Sequence, residues 1–344
     1  MDKLDKIKLL NSLRHGDITT LLESDLPEID FYVNKIVPEG MITTIWGPSQ
    51  QFKSTYSLYL ALCIASNRKT FNFGLNKRDN ILWIDEEMGV IGLKHKIQQL
   101  QKGLNITNEE LNEHFKYMSM MNIKLDTEKG LNMVKAYCLR YNIGIIFIDS
   151  VSKVIEGDEN STQAVSKFLH DLRMLSEQLG VAWVIIHHTG KSDGYNGLNK
   201  MRGSIEFGTQ SDFSFQMYTI GDRVVLKPEK HRHISKPIET INFSVTGNEN
   251  EMVLEYIGLA KDEVRKAKLN KKLKIRNGII DYIIANPKTE YKVKQIIEDL
   301  NLPDTIAREV IYKDKDSLHH QGIISYNGYG KLKFLDQKED QKTD

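Results

Sequence analysis

Residues Gly47 to Thr55, "GPSQQFKST", lie between an apolar run, "MITTIW", and a helix-like stretch, "YSLYLALCIAS". The spacing is that of a loop built to wrap phosphate, G-x-x-x-x-G-K-[ST]. In such a loop successive backbone N–H groups and a helix N-terminus surround the anion, a lysine reaches the β and γ phosphates, and a hydroxyl helps to hold Mg²⁺. Gly47, Lys53 and Ser54 meet three of these needs, and Pro48, Ser49, Gln50, Gln51, Phe52 and Thr55 complete the expected cradle for a nucleotide's phosphates. Phe52 stands where the second glycine belongs. Were positive φ required there, a bulky residue would cost on the order of 1 kcal/mol or more. A helix-like backbone just before Lys53 is expected instead, with the ring packed outward at little cost.

Nucleotide hydrolysis also needs a carboxylate beside the metal, at the C-terminal end of a neighbouring buried strand. "GIIFIDS" offers Asp149, although an aspartate ending a strand also caps turns. "ILWIDEEMG" ends another strand on Asp85, Glu86 and Glu87. A glutamate in that place can orient or deprotonate an attacking water; a solvated acidic loop is the alternative. "VIIHHTGK" ends a further strand on His187 and His188, which alternate in direction and so do not readily ligate one metal together. One reading is a hydrogen-bonded core histidine, and the other is a sensor of the γ-phosphate that reports to the loop after it. That loop, "KSDGYNGLNKMRGS", combines Gly194, Gly197 and Gly203 with Lys191, Lys200 and Arg202, which suit contact with a nucleic acid backbone.

The elements that must position these residues are legible in the apolar pattern. "MITTIW" (41 to 46), "NILWID" (80 to 85), "IGIIFID" (143 to 149) and "VAWVIIHH" (181 to 188) are near-continuous, as strands buried on both faces of a parallel sheet require. Between the last two, Val165, Phe168, Leu169, Leu172, Leu175 and Leu179 line one face of a helix that stops at Gly180. From Phe213 the pattern alternates through "FSFQMYTI", "RVVLKPEKHR", "ETINFSV" and "EMVLEYIG", which predicts antiparallel hairpins at one sheet edge. "RKAKLNKKLKIR" then carries seven Lys or Arg and no acid, enough to attract a phosphate backbone or to solvate a linker. Beyond it, "IRNGIIDYIIANP", "VKQIIEDLN" and "DTIAREVIYKDKDSLHHQG" read as three helices and "IISYNGYGKLKFL" as a hairpin, the outline of a winged helix. Arg308, Lys313 and Lys315, with His319 and His320, lie on or beside its third helix, interleaved with Glu309, Asp314 and Asp316.

The expected fold class is therefore α/β, with a mainly parallel twisted sheet and a small C-terminal winged-helix domain. The expected divisions are an N-terminal helical segment (1–28) containing Leu4, Ile7, Leu10 and Leu13, a core (29–260), a basic linker (261–274), the winged helix (275–337) and a disordered tail (338–344). With 344 residues, 40% hydrophobic and 27% charged, the chain reads as an ordinary soluble protein. No apolar run approaches the roughly 18 residues of a membrane span, and the charged N-terminus does not read as a signal peptide, so a cytoplasmic location without membrane partners is expected. Cys63 and Cys138 have no metal-ligand or disulfide spacing partner and are expected to be buried free thiols.

In order, "GPSQQFKST", "LWIDEE", "IIFIDS", "GDENST", "VIIHHTGK", "RGS" and "KHR" resemble the RecA-like ATPases of the plasmid RepA-type hexameric replicative helicase group, over about residues 29 to 260. The resemblance implies a RecA-like core in which Lys53 and Ser54 handle phosphate and Mg²⁺, Asp149 is the second metal residue, and Glu87 is the catalytic base with Glu86 in reserve. It further implies that His188 is the phosphate sensor. Lys230 and Arg232 resemble a pair that reaches into the neighbouring subunit's site. Such a pair requires a homo-oligomer, in this group a hexamer. The implied function is an ATP-hydrolysing helicase or translocase on single-stranded DNA, in replication of a plasmid, virus or integrated element. Its expected partners are replication proteins such as a primase, and duplex DNA at the winged helix. The competing reading is an ATP-switched DNA-binding regulator, or a recombination accessory protein, that does not unwind.

Overall fold

The computed structural model describes residues 3–26, 28–71, 74–158, 161–189, 205–288, 290–313, 317–327 and 329–335. The chain divides into two compact units, Met1–Ala260 and Lys261–Asp344.

The first unit opens with helices α1 (Lys3–Ser12) and α2 (Ile18–Leu22) and a short antiparallel pair, β1 (Phe31–Val33) and β2 (Val37–Pro38). There follow β3 (Ile42–Pro48), α3 (Lys53–Ser66), β4 (Asn80–Asp85), α4 (Gly89–Leu104), α5 (Asn108–Asn112) and β5 (Phe115–Ser119). Next come α6 (Glu128–Tyr141), β6 (Ile143–Asp149), α7 (Val151–Val154), α8 (Thr162–Leu179), β7 (Ala182–Thr189) and α9 (Ile205–Gln210). Strands β8 (Phe213–Ile220), β9 (Arg223–His231), β10 (Ile241–Gly247) and β11 (Met252–Leu259) complete it. All strands from β3 onward form one sheet in the order β11-β10-β9-β8-β3-β7-β6-β4-β5. Pairings from β8 across to β5 are parallel, and those from β8 out to β11 are antiparallel.

Alternation along the central strands divides the apolar residues between two cores. Ile145 and Phe147 face the layer built with Tyr56, Leu60 and Ile64 of α3, while Ile146 and Ile148 face Phe168 and Leu172 of α8. α3 is buried along nearly its whole length, which fixes the loop that precedes it. α8 is capped at its start by Ser161 Oγ, which accepts the Ala164 N–H, and at its end by left-handed Gly180. Cys63 and Cys138 are both buried, and neither is in a disulfide. Strand β5, "FKYMS", lies at the sheet edge, pairs only with β4, and buries just Met118 fully, so it has no clear apolar signature.

In the second unit, α10 (Ala260–Ala285) begins at the boundary, so residues 261–274, expected as a linker, are helical. After it come β12 (Tyr291–Lys292), α11 (Val293–Asp299), α12 (Asp304–Arg308), a π-helical turn at Glu309–Lys313, β13 (Ile324–Tyr326) and β14 (Lys331–Phe334). The strands form a small antiparallel sheet, β12-β14-β13, over a core of Ile279, Ile283, Val293, Ile296, Ile311, Leu318, Ile324 and Leu332. The helix expected from Asp304 onward is shorter than its sequence pattern. After Arg308 the chain is wound as a wider π-helical turn, which buries Val310 and Ile311. Among the described residues no helix is long and apolar enough to cross a membrane.

Candidate active site

Strands β3, β7, β6 and β4 are neighbours and parallel, so their C-terminal ends form one rim. Register places Gly47 beside His188 and Asp85 beside Asp149. This is where an open α/β sheet receives ligands.

The loop from Gly47 into α3 is shaped by backbone demands. At φ +154, Gly47 lies so close to β8 that a Cβ would sit 2.1 Å from the Met217 carbonyl oxygen. Gly47→Ala is therefore expected to force β3 and β8 apart and to lower stability by roughly 2–4 kcal/mol, read as a fall in urea midpoint. Gln51 braces the same loop, its Oε1 accepting the Thr219 N–H at 2.5 Å and the Thr219 hydroxyl at 2.8 Å. That partner lies 168 residues away, so no local signal could have revealed it.

Phe52 departs from expectation. Its backbone is left-handed, φ 59 and ψ 17, and not helix-like, so it occupies the conformation that glycine usually supplies. The ring does point outward, 38% exposed. Gln50 is also left-handed, at φ 63. Phe52→Gly is expected to relieve roughly 1 kcal/mol of strain, partly offset by the entropy of the unfolded glycine, for a net gain of a few tenths. Urea titration of the two proteins checks this.

Lys53 is buried at the start of α3 and donates from Nζ to the Pro48 carbonyl oxygen at 2.5 Å. Burial pulls its ammonium down to about 8, against the raising influence of Asp149 and Glu87. Ser54 Oγ donates to Asp149 Oδ1 at 3.0 Å. Asp149 is fully buried, and burial, with Glu87 and Asp85 nearby, pushes its carboxyl up to about 7. Its Oδ2 is buried without a hydrogen-bond partner. An unmet carboxylate oxygen beside a serine hydroxyl fits a hard divalent cation, which takes oxygen ligands. Ser54 and Asp149 therefore fit Mg²⁺.

The three acids after β4 have separate tasks. Asp85 shapes the turn, Oδ1 accepting the N–H groups of Glu87 and Met88 at 3.2 and 2.8 Å and Oδ2 accepting the Ser119 hydroxyl at 2.6 Å. Glu86 turns away from the rim, and its two oxygens accept the Asn122 and Ile123 N–H groups, each at 3.1 Å. Both of its oxygens are thereby taken up in anchoring the segment after β5. Glu87 alone faces the rim, with Oε2 3.2 Å from His188 Nε2. The His188 contact holds its carboxyl below the usual range, partly opposed by burial. Ligand atoms of Glu87, Asp149 and His188 lie within 4.8 Å of one another.

The two histidines also part. His187 is buried and stacks on Phe207 of α9, ring centroids 4.6 Å apart, and burial lowers its pKa to about 3. It is a neutral core residue, leaving His188 as the imidazole at the rim.

Lys230 and Arg232 lie elsewhere. Arg232 donates its backbone N–H to the Asp212 carbonyl, and Asp212 in turn donates to the Ile42 carbonyl at the start of β3. β3 then advances at about 3.3 Å per residue to Pro48, so the Arg232 backbone is roughly 20 Å from the loop of its own chain, while Lys230, in register with Ser214 beside Thr44, lies nearer. Lys191, Lys200, Arg202 and Lys315 lie outside the described residues. Arg308 is engaged by both oxygens of Asp304 at 2.9 Å and by the Tyr312 hydroxyl at 3.2 Å, while Lys313 is exposed.

Comparison with known proteins adds three findings. A match to the AAA domain family spans residues 11–194. The ATPase domain of G40P, a solved structure, superposes with a TM-score of 0.50 at 15% sequence identity, covering 70% of this chain and 99% of that one. No curated protein matches. Because the family match takes in more than half of the chain, including the loop and three of its acidic and imidazole neighbours, the chain belongs to the AAA domain family, and its first unit shares the fold of that solved ATPase domain.

Proposed function

We propose that this protein hydrolyses ATP to move along single-stranded DNA, as a helicase or translocase of the RepA-type group serving replication of a plasmid, virus or integrated element. The observation that carries the reading is the convergence of Lys53, Ser54, Asp149, Glu87 and His188 on one rim, with the structural acids turned away. The likeness to an ATPase domain supports it.

In this mechanism the loop from Gly47 to Thr55 encloses the phosphates with its N–H groups, and Lys53 exchanges the Pro48 carbonyl for phosphate oxygens. A neighbouring anion favours the charged form of Lys53, offsetting the burial that depresses it. Mg²⁺, held by Ser54 and Asp149, supplies charge neutralisation of the phosphates when bound. Glu87, ionised at neutral pH, accepts a proton from the water that attacks the γ-phosphate. Its contact with His188 links the base to the strand end that leads into the loop bearing Lys191, Lys200 and Arg202. Arg232 lies too far from its own loop to reach that phosphate. We therefore assign it, with Lys230, to the site of a neighbouring subunit in a hexamer, where a guanidinium stabilises developing charge. The second unit is taken as a winged helix that holds duplex DNA, with primase-like replication proteins as further partners.

Displacement of a strand from a forked duplex tests the reading. ATP should drive displacement, and Lys53→Ala should reduce it by at least about 10²-fold. ATP-dependent DNA binding without displacement would overturn the motor and leave a regulator.

A further inference from the structure

We infer that Asp212 and Arg173 form a clamp that positions Arg232 for delivery to the neighbouring subunit. The inference rests on the assignment of Arg232 to act in trans.

Asp212 is 2% exposed at the start of β8. Its Oδ2 accepts the Ile42 N–H at 3.0 Å, which ties the carboxylate to the central strand β3. Its Oδ1 faces two guanidinium groups and an imidazole: Arg173 Nη1 at 3.1 Å, Arg232 Nη1 at 3.9 Å and His233 Nε2 at 3.7 Å. Arg173 comes from α8, and its second prong donates to the Gln210 carbonyl at 3.0 Å. Arg232 is also held by its backbone N–H on the Asp212 carbonyl at 3.1 Å, and Lys230 donates to the Thr209 carbonyl. Thus residues 209–212 hold both Lys230 and Arg232, and Arg173 staples that segment in place.

The distances give the clamp its logic. One buried carboxylate faces the guanidinium groups of both Arg173 and Arg232, with Lys230 held nearby on the Thr209 carbonyl, so the group as a whole is under-neutralised and attracts an anion. Arg173 makes the short bond to Oδ1 and takes the larger share of its charge. Arg232 is left within ion-pair reach but beyond hydrogen-bond distance, aimed by Asp212 with its donors uncommitted to it. Remove Arg173, and Arg232 collapses onto Asp212 in a tight charge-assisted pair. Neutralise Asp212, and Arg232 loses its aim. Each change withholds the guanidinium for a different reason.

The test mixes chains with complementary lesions and reads ATP hydrolysis. Lys53→Ala keeps Arg232 but loses its own site; Arg232→Ala keeps its site but donates no guanidinium. Their mixture should regain activity that neither has alone. Placing Arg173→Ala or Asp212→Asn in the Lys53→Ala chain should cut the regained rate roughly ten- to hundredfold. The same changes in the Arg232→Ala chain should leave it unchanged, because that chain offers its neighbour no guanidinium to position. Asp212→Asn keeps an acceptor for Ile42, and Arg173→Lys in the donor should restore part of the rate. Equal loss in both placements means damage to the fold and overturns the clamp, as does undiminished recovery with the clamp changed in the donor. No recovery in the first mixture instead brings down the trans assignment itself, and the clamp with it.

Discussion

Glu87→Gln is expected to slow ATP turnover by roughly 10²- to 10⁴-fold while leaving ATP binding close to that of the parent protein. The amide keeps the shape and the contact to His188 but has no basic oxygen to take a proton. Glu86→Gln provides the contrast. Its oxygens serve the Asn122 and Ile123 N–H groups, and an amide can accept with only one of them, so a loss of roughly 1–2 kcal/mol in stability is expected with a far smaller fall in rate. Single-turnover hydrolysis separates chemistry from binding, and urea titration reads the stability. A larger rate loss at Glu86 than at Glu87 would reverse the assignment.

Asp149→Asn is expected to abolish Mg²⁺-dependent hydrolysis and, at pH 8 without nucleotide or metal, to make the fold more stable by roughly 1–2 kcal/mol. The folded Asp149 holds its proton up to about pH 7, against an ordinary value of 3.8, because burial penalises the carboxylate. A raised carboxyl contributes its stability fully below the ordinary value and loses it as pH rises through about 7. Above that, the fold carries a buried charge that asparagine removes. Part of the gain is offset at Lys53, which loses a favourable neighbour. Near pH 4 the two proteins should unfold at nearly the same urea concentration. Equal midpoints at pH 8 as well would contradict the burial argument.

What could be read in advance divides along physical lines. Strands β3, β4, β6 and β7 announce themselves because both of their faces are buried, and Lys53, Ser54 and Asp149 follow from their places at the ends of such strands. The edge strand β5 lacks that pattern, and the anchors for Asp85 and Glu86 lie in and just beyond it. Composition alone therefore could not separate Glu86 from Glu87; the resemblance favoured Glu87, and a hydrogen-bond register explains why Glu86 is occupied. The left-handed backbone at Phe52 was hidden for another reason, since residue type normally follows backbone geometry and here it does not. Asp212 and Arg173 escaped notice because their meaning arises only when α8, β3, β8 and β9 are brought together.

The most direct test of the central claim, a triphosphate site completed by another subunit and coupled to DNA, is the rate of ATP hydrolysis measured across protein concentration with and without single-stranded DNA. A rate that climbs more steeply than concentration until assembly saturates, and that increases with DNA, is the predicted result. A rate strictly proportional to protein and indifferent to DNA would contradict it.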